Sequence, residues 1–118
     1  RGRAIVVSVV ARGGNLVALR RDDGVGPHNT EASRRKAYTA LSTGRATLTL
    51  ARDAQANADA RNLATLPELL LLGGGVPLLP QGRIVGAIGT AGGGGAANDH
   101  ACAQAAIGAV PELDQPAG

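Results

Sequence analysis

The sequence predicts an α+β fold: an antiparallel sheet flanked by helices, in a single compact domain. Three observations predict it. Apolar, strand-like runs come in adjacent pairs joined by short turns. A helical segment follows each pair, so the order is ββ, α, a variable middle, ββ, α, which is an antiparallel layout and not a βαβ parallel sheet. The length of 118 residues suits one domain, which at this size buries roughly two thirds of its unfolded surface without metals or disulfides.

The elements follow in order. "RAIVVSVV" (Arg3–Val10) is apolar and β-branched on both alternating faces, as in a central strand buried on both sides. "ARGGN" is a turn and "LVALRR" (Leu16–Arg21) the return strand, making a hairpin over Ala4–Arg21. "DDGVGPHN" is a loop by composition. "NTEASRRKAYTALST" (Asn29–Thr43) is a helix that Asn29 or Thr30 can cap, with Glu31 at its positive end and Gly44 as its stop. Ser33, Ala37, Ala40 and Leu41 share one face of it. Residues 45–62 read as one short helix followed by irregular chain. "LPELLLL" (Leu66–Leu72) approaches a strand that "GGG" interrupts, and "VPLL" (Val76–Leu79) resumes it, with Pro77 marking an edge. "PQG" is a turn and "RIVGAIGT" (Arg83–Thr90) the last strand, in which Gly86 and Gly89 predict close backbone packing. Ala96–Val110 is the final helix, and residues 111–118 form a frayed tail.

Composition narrows the function. With 44% hydrophobic and 18% charged residues the chain is globular rather than disordered. Tyr38 is its one aromatic, so the core must be built from Val, Ile, Leu and Ala, with 18 Gly allowing close backbone approach. Single-stranded nucleic-acid binders need stacking surfaces that this chain lacks. Residues 1–36 carry eight Lys/Arg against three Asp/Glu, and residues 37–118 carry four against six. No nucleic-acid motif accompanies the basic part, so a solvated face is the preferred reading and no nucleic-acid partner is expected. One cysteine, Cys102, makes no internal disulfide, which favours the cytoplasm; export stays open because the chain begins at Arg1 rather than Met. No run approaches the roughly 18 apolar residues of a membrane span.

The glycine clusters raise the question of a nucleotide site. A P-loop needs Lys and Ser/Thr after its glycines. The only lysine, Lys36, lies within a helix. G-x-G-x-x-G has no complete match: from Gly73 the last position is Leu78, and from Gly92 it is Ala97. What remains is "GTAGGGG" leading into a helix, whose N-terminus attracts an anion. Asp99 and Cys102 share a face there, and His100 points elsewhere. Two His and one Cys make no zinc site without carboxylates or a second chain, so no metal is assigned. "RRK" (Arg34–Lys36) is either solvated helix surface or a clamp for a carboxylate.

Taken together, "VVARGGNLVALRRDDG", "SRRKAYTA", "LLGGGVPL", "GRIVGAIGTAGG" and "NDHACAQAAI" resemble the GlcG/HbpS family in the same order over nearly the whole chain. That family includes glycolate-operon GlcG-like proteins, secreted haem-binding HbpS-like proteins and the C-terminal domain of PduO-type proteins. The resemblance implies a profilin-like α+β fold, assembly into homo-oligomers, and haem binding or degradation. It also implies structural glycines beside a pocket in "GGGVP" and "VGAIGTAGG". Two features depart from the family: the helix that precedes its first strand is not seen ahead of Arg3, and its "DAGGNLV" turn reads "ARGGNLV".

Two functions follow. One is an oligomeric module binding a small carboxylate-bearing ligand such as haem, through His28, Asn29, Arg35, Lys36, Gly73, Gly74, Gly75, Asp99 and Cys102. For iron, His28, His100, Cys102 and Tyr38 are the available side chains. The other is an enzyme or metabolic accessory protein acting on a small acid or carbonyl compound, with His28, Glu68 and Lys36 as acid–base groups. The pocket is expected between the "GPHN" loop, the start of the "RRKAYTA" helix and the "LLLLGGGVP" segment.

Overall fold

β1 (Val6–Ala11) and β2 (Leu16–Arg21) form the expected hairpin, with a register irregularity between Val9 and Val10. The structure is a computed structural model and describes residues 4–109. The tail expected at 111–118 and the chain start lie outside the described residues. β3 (Gly75–Leu78) and β4 (Gly86–Ala91) complete a four-stranded sheet of order β2-β1-β4-β3, antiparallel throughout. β1 is central, as its sequence predicts. Its alternation splits the molecule: Val6, Ser8 and Val10 are buried on one face, and half-buried Val7 and Val9 lie on the other.

α1 (His28–Thr43) lies on the first face. It begins one residue before its expected start. Pro27 occupies the cap position with no side-chain cap, and the Asn29 amide donates instead to Gly26 O. Its end is as predicted, with the Gly44 N–H bonding Ala40 O. Ala37 and Ala40 pack on Val10 and Ala87, with Leu41 alongside. Small side chains make this a backbone-to-backbone contact. A Cβ at Gly89 would collide with Ser33 O and lie 2.7 Å from Ala37 N, so helix and strand meet only because that position is glycine. Beneath it, the Ser8 and Ser33 hydroxyls bond each other at 2.6 Å, fully buried.

The middle is more helical than expected: α2 (Thr47–Ala56) is followed by α3 (Ala58–Arg61), capped by Asn57, and a 3₁₀ turn over Asn62–Thr65. No strand forms at Leu66–Leu72. That segment is tied to helices: Leu70 N donates to Thr39 Oγ1, and Leu72 O accepts from Thr47 Oγ1. Its backbone groups therefore have partners without a strand neighbour. α4 (Ala96–Gly108) covers the opposite face of the sheet, where Ala103 and Ile107 pack on Val76 and Ile88.

The two outer strands differ. Thr90 N bonds Gly74 O and Val85 N bonds Leu78 O, so Gly75 and Pro77 point their backbone groups outward. Gly75 N is taken by Thr47 Oγ1, and Pro77 has no N–H to offer. β3 is a closed edge. β2, in contrast, is exposed at every residue. No described helix is long and apolar enough to cross a membrane.

Candidate functional site

The glycine-rich stretch surrounds a buried ion pair. Lys36 Nζ lies 3.0 Å from Asp99 Oδ2, with both side chains less than a tenth exposed. The ammonium also donates to Thr90 O at 3.0 Å, and Asp99 Oδ1 accepts from Gly93 N at 2.7 Å. Thr90 Oγ1 closes the cluster on Asp99 O. Charges taken from water need such bonding, because desolvation otherwise exceeds their attraction. Gly74 makes the close approach possible. Its φ is +135°, and a Cβ there would collide with Thr90 O and lie 3.0 Å from Lys36 Cδ and 3.1 Å from Asp99 Cβ. These glycines therefore let backbone pack around a charged core, which answers the nucleotide question in favour of the fold.

The expected site residues divide accordingly. Lys36, Gly74 and Asp99 meet. Gly73 packs where a Cβ would lie 2.7 Å from Ala96 O, and Gly75 bonds Thr47. Asn29 is half-buried, its side chain 3.7 Å from the position of a Cβ at Gly92, beside this cluster. Arg35 turns its Nη2 to Leu69 O at 2.7 Å, while its Nε is buried without a partner. His28 and Glu68 are exposed, and Cys102 is half-buried. His100 is buried, with neither ring nitrogen hydrogen-bonded. "RRK" thus has three fates: Arg34 forms a surface pair with Glu31, Arg35 is a backbone clamp, and Lys36 is a core cation. The Arg34 hydrogen bond, helped by its charge and opposed by slight burial, holds the Glu31 carboxyl below its usual range.

A cleft of about 570 Å³ opens elsewhere, lined by Arg12, Gly13, Gly14, Tyr38, Leu41, Ser42, Gly82, Arg83 and Ile84. Three segments build it: the β1–β2 turn, the outer side of α1, and the approach to β4. The Tyr38 ring is set against the turn. Gly14 has φ +88°, and a Cβ on it would lie 2.7 Å from Tyr38 Cε1. Arg12 and Arg83 are exposed, and among the described residues neither forms an ion pair. No acid lines this cleft. A smaller one, about 320 Å³, is lined by Ile5, Val7, Arg20 and Asp22, where the arginine has an acid beside it. Sequence reading missed Arg83. Arg12 stands out in the sequence only as a departure in the turn, because nothing local links residues 12, 38 and 83.

A four-stranded antiparallel sheet with helices on both faces and a small-residue core defines a compact α+β domain. The chain belongs to the HbpS-like family: the family described as "Haem degrading protein HbpS-like" matches residues 1–108. A Citrobacter freundii protein described as an uncharacterized 15.0 kDa protein in the dhaT-dhaS intergenic region is 32% identical over 111 residues, 92% of this chain and 78% of that one. Among solved structures, a double mutant of Streptomyces reticuli HbpS is 37% identical with a TM-score of 0.84, covering 92% of this chain and 73% of its own. Klebsiella pneumoniae ORFY is 29% identical with a TM-score of 0.86, over 96% and 79%. A crystal structure of a PduOC–heme complex is 26% identical with a TM-score of 0.85, over 98% and 83%.

Proposed function

We propose that the protein is a homo-oligomeric binding module for a carboxylate-bearing ligand, with haem the first candidate. The observation that carries this reading is the cleft beside Tyr38, which holds two arginines and no acid. Its volume falls within the range of about 300–1,000 Å³ typical of small-ligand pockets. The relative solved as a haem complex supports the choice of haem.

The side chains present suit that group. Of the four available to iron, His100 has both nitrogens shut in, His28 sits on the exposed start of α1, and Cys102 is half-buried on α4. Tyr38 lines the cleft, and a tyrosine oxygen is an established haem ligand. Arg12 and Arg83 would hold the propionates. Bound haem would supply redox and oxygen chemistry; this chain's residues would bind it and orient it. Of the three acid–base groups of the enzyme reading, the Lys36 ammonium is engaged inside the protein, while His28 and Glu68 are exposed and do not line the cleft.

Titrating the purified protein with haemin tests the reading. A sharp Soret band saturating at a fixed stoichiometry is the expected result. No saturable change with haemin, and no heat with a panel of small carboxylates, would overturn it.

A further inference from the structure

We infer that the acidic segment following α4, residues 110–118, docks in the cleft beside Tyr38 of the same chain, where Glu112 and Asp114 meet its two arginines. This rests on the binding reading above for the role of the cleft, and adds a built-in occupant that an incoming ligand must displace. The segment reads "VPELDQPAG", with two acids and no Lys or Arg. The family match ends at residue 108, before it begins. Acids elsewhere are already committed: Asp99 to Lys36, Glu31 to Arg34, Asp53 to Arg45, and Asp22 to the Ile5 N–H. Arg12 and Arg83 form no ion pair among the described residues, and no acid lines their cleft. Two like charges gathered without a counter-charge repel, and an acidic segment within reach relieves that repulsion.

The fold delivers the end of α4 to this cleft. α4 starts at the Ala91 end of β4, where Asp99 accepts from Gly93 N and Thr90 Oγ1. It then runs back along the sheet, with Ala103 and Ile107 on Val76 and Ile88. Its 13 residues span about 20 Å, which is about the length of the six-residue β4, so Gly108 ends level with Gly86. Gly86 pairs with Ala11, and the two loops lining the cleft, residues 12–14 and 82–84, adjoin those two positions. From Gly108 the chain reaches up to about 20 Å by Asp114. That is enough to round the end of the sheet, since packed layers lie about 10 Å apart. Glu112 and Asp114 are two positions apart, so in extended chain they point to one side about 7 Å apart. That spacing suits two guanidiniums carried on separate segments. Exposed ion pairs are individually weak, but a segment tethered this closely acts at an effective concentration of about millimolar.

Tyr38 makes this testable without a ligand, because it is the only aromatic residue of the chain and lines the cleft. Acrylamide quenching of its fluorescence reads how far the cleft is covered. Glu112→Gln with Asp114→Asn, made in the full chain, should roughly double the quenching constant as the ion pairs are lost, with circular dichroism unchanged. Arg12→Gln with Arg83→Gln should do the same, and all four changes together should add nothing further, since both sets break one contact. Salt at about 0.5 M should raise quenching in the unaltered chain and leave the variants as they are. Equal quenching in the unaltered chain and the Glu112/Asp114 variant would overturn the inference and leave the binding function standing. A dependence of the quenching on protein concentration would place the segment in a second copy and overturn the contact within one chain. Haemin titration reads the displacement: the Glu112/Asp114 variant should bind about threefold more tightly, having no occupant to remove, and equal affinity would overturn the competition. Haemin bound by neither form would overturn the binding function, and the quenching comparison would still decide the docking.

Discussion

Lys36 on α1 and Asp99 on α4 are 63 positions apart in sequence and 3.0 Å apart in space. The two helices lie on opposite faces of the sheet, so this contact joins both outer layers directly. Removing one partner strands a charge in the core. Lys36→Met and Asp99→Asn should each cost about 3–5 kcal/mol, and the double variant should cost clearly less than their sum. Urea unfolding of the three variants measures it, and strict additivity would show that the pair is not coupled.

Gly74 admits that pair and no side chain. Gly74→Ala meets both a positive φ and a collision with Thr90 O. The backbone term alone is about 1–3 kcal/mol. The thermal midpoint should fall accordingly, and far more than for alanine at Gly108 on the exposed end of α4.

The Ser8–Ser33 pair makes an asymmetric prediction. Ser33 Oγ also lies 2.9 Å from Thr30 O, so Ser33 donates there and Ser8 donates to Ser33. Ser33→Ala leaves the Ser8 hydroxyl buried without an acceptor, costing about 1–3 kcal/mol. Ser8→Ala leaves Ser33 its bond to Thr30 and should cost less. The reverse order in chemical denaturation would refute the assignment of donors.

Acid should undo the Glu31–Arg34 pair. The folded carboxyl titrates below its ordinary value, so its stabilisation is complete above the unfolded value of about 4.3 and is lost as pH falls through the lower folded one. The pair is largely exposed, so solvent screening limits it to about 0.3–0.5 kcal/mol. Glu31→Gln should lose that amount at pH 7 and nothing at pH 2, measured by denaturant midpoints at both pH values.

Leu16, Val17 and Leu19 are exposed on β2. If the proposed homo-oligomer uses this strand, Val17→Asp or Leu19→Asp should lower the mass seen by light scattering without altering the helical signal. An unchanged mass would place assembly elsewhere.

Much of this frame can be read from sequence because it is local. The hairpin, the long helix with its Gly44 stop, the edge character of Pro77 and the close packing at Gly89 all rest on neighbouring residues. Lys36 could be placed on one face with Ala40, but consecutive basic residues look like surface until a partner is known, and Asp99 gives no hint of being that partner. Leu66–Leu72 misled because an apolar run says nothing about what bonds its backbone; Thr39 and Thr47 do so from helices. The cleft was invisible for the same reason: its arginines converge only through the fold.

The unlike edges of the sheet limit how copies can add to one another. Among the described residues β3 offers no free backbone donor at Gly75 or Pro77, which leaves β2 as the edge better suited to strand addition. A second copy joining through its own β2 would use up both open edges and give an eight-stranded sheet blunted at each end. Growth by edge pairing would then terminate at two chains, because a threonine and a proline deny the far edge of each sheet its backbone donors.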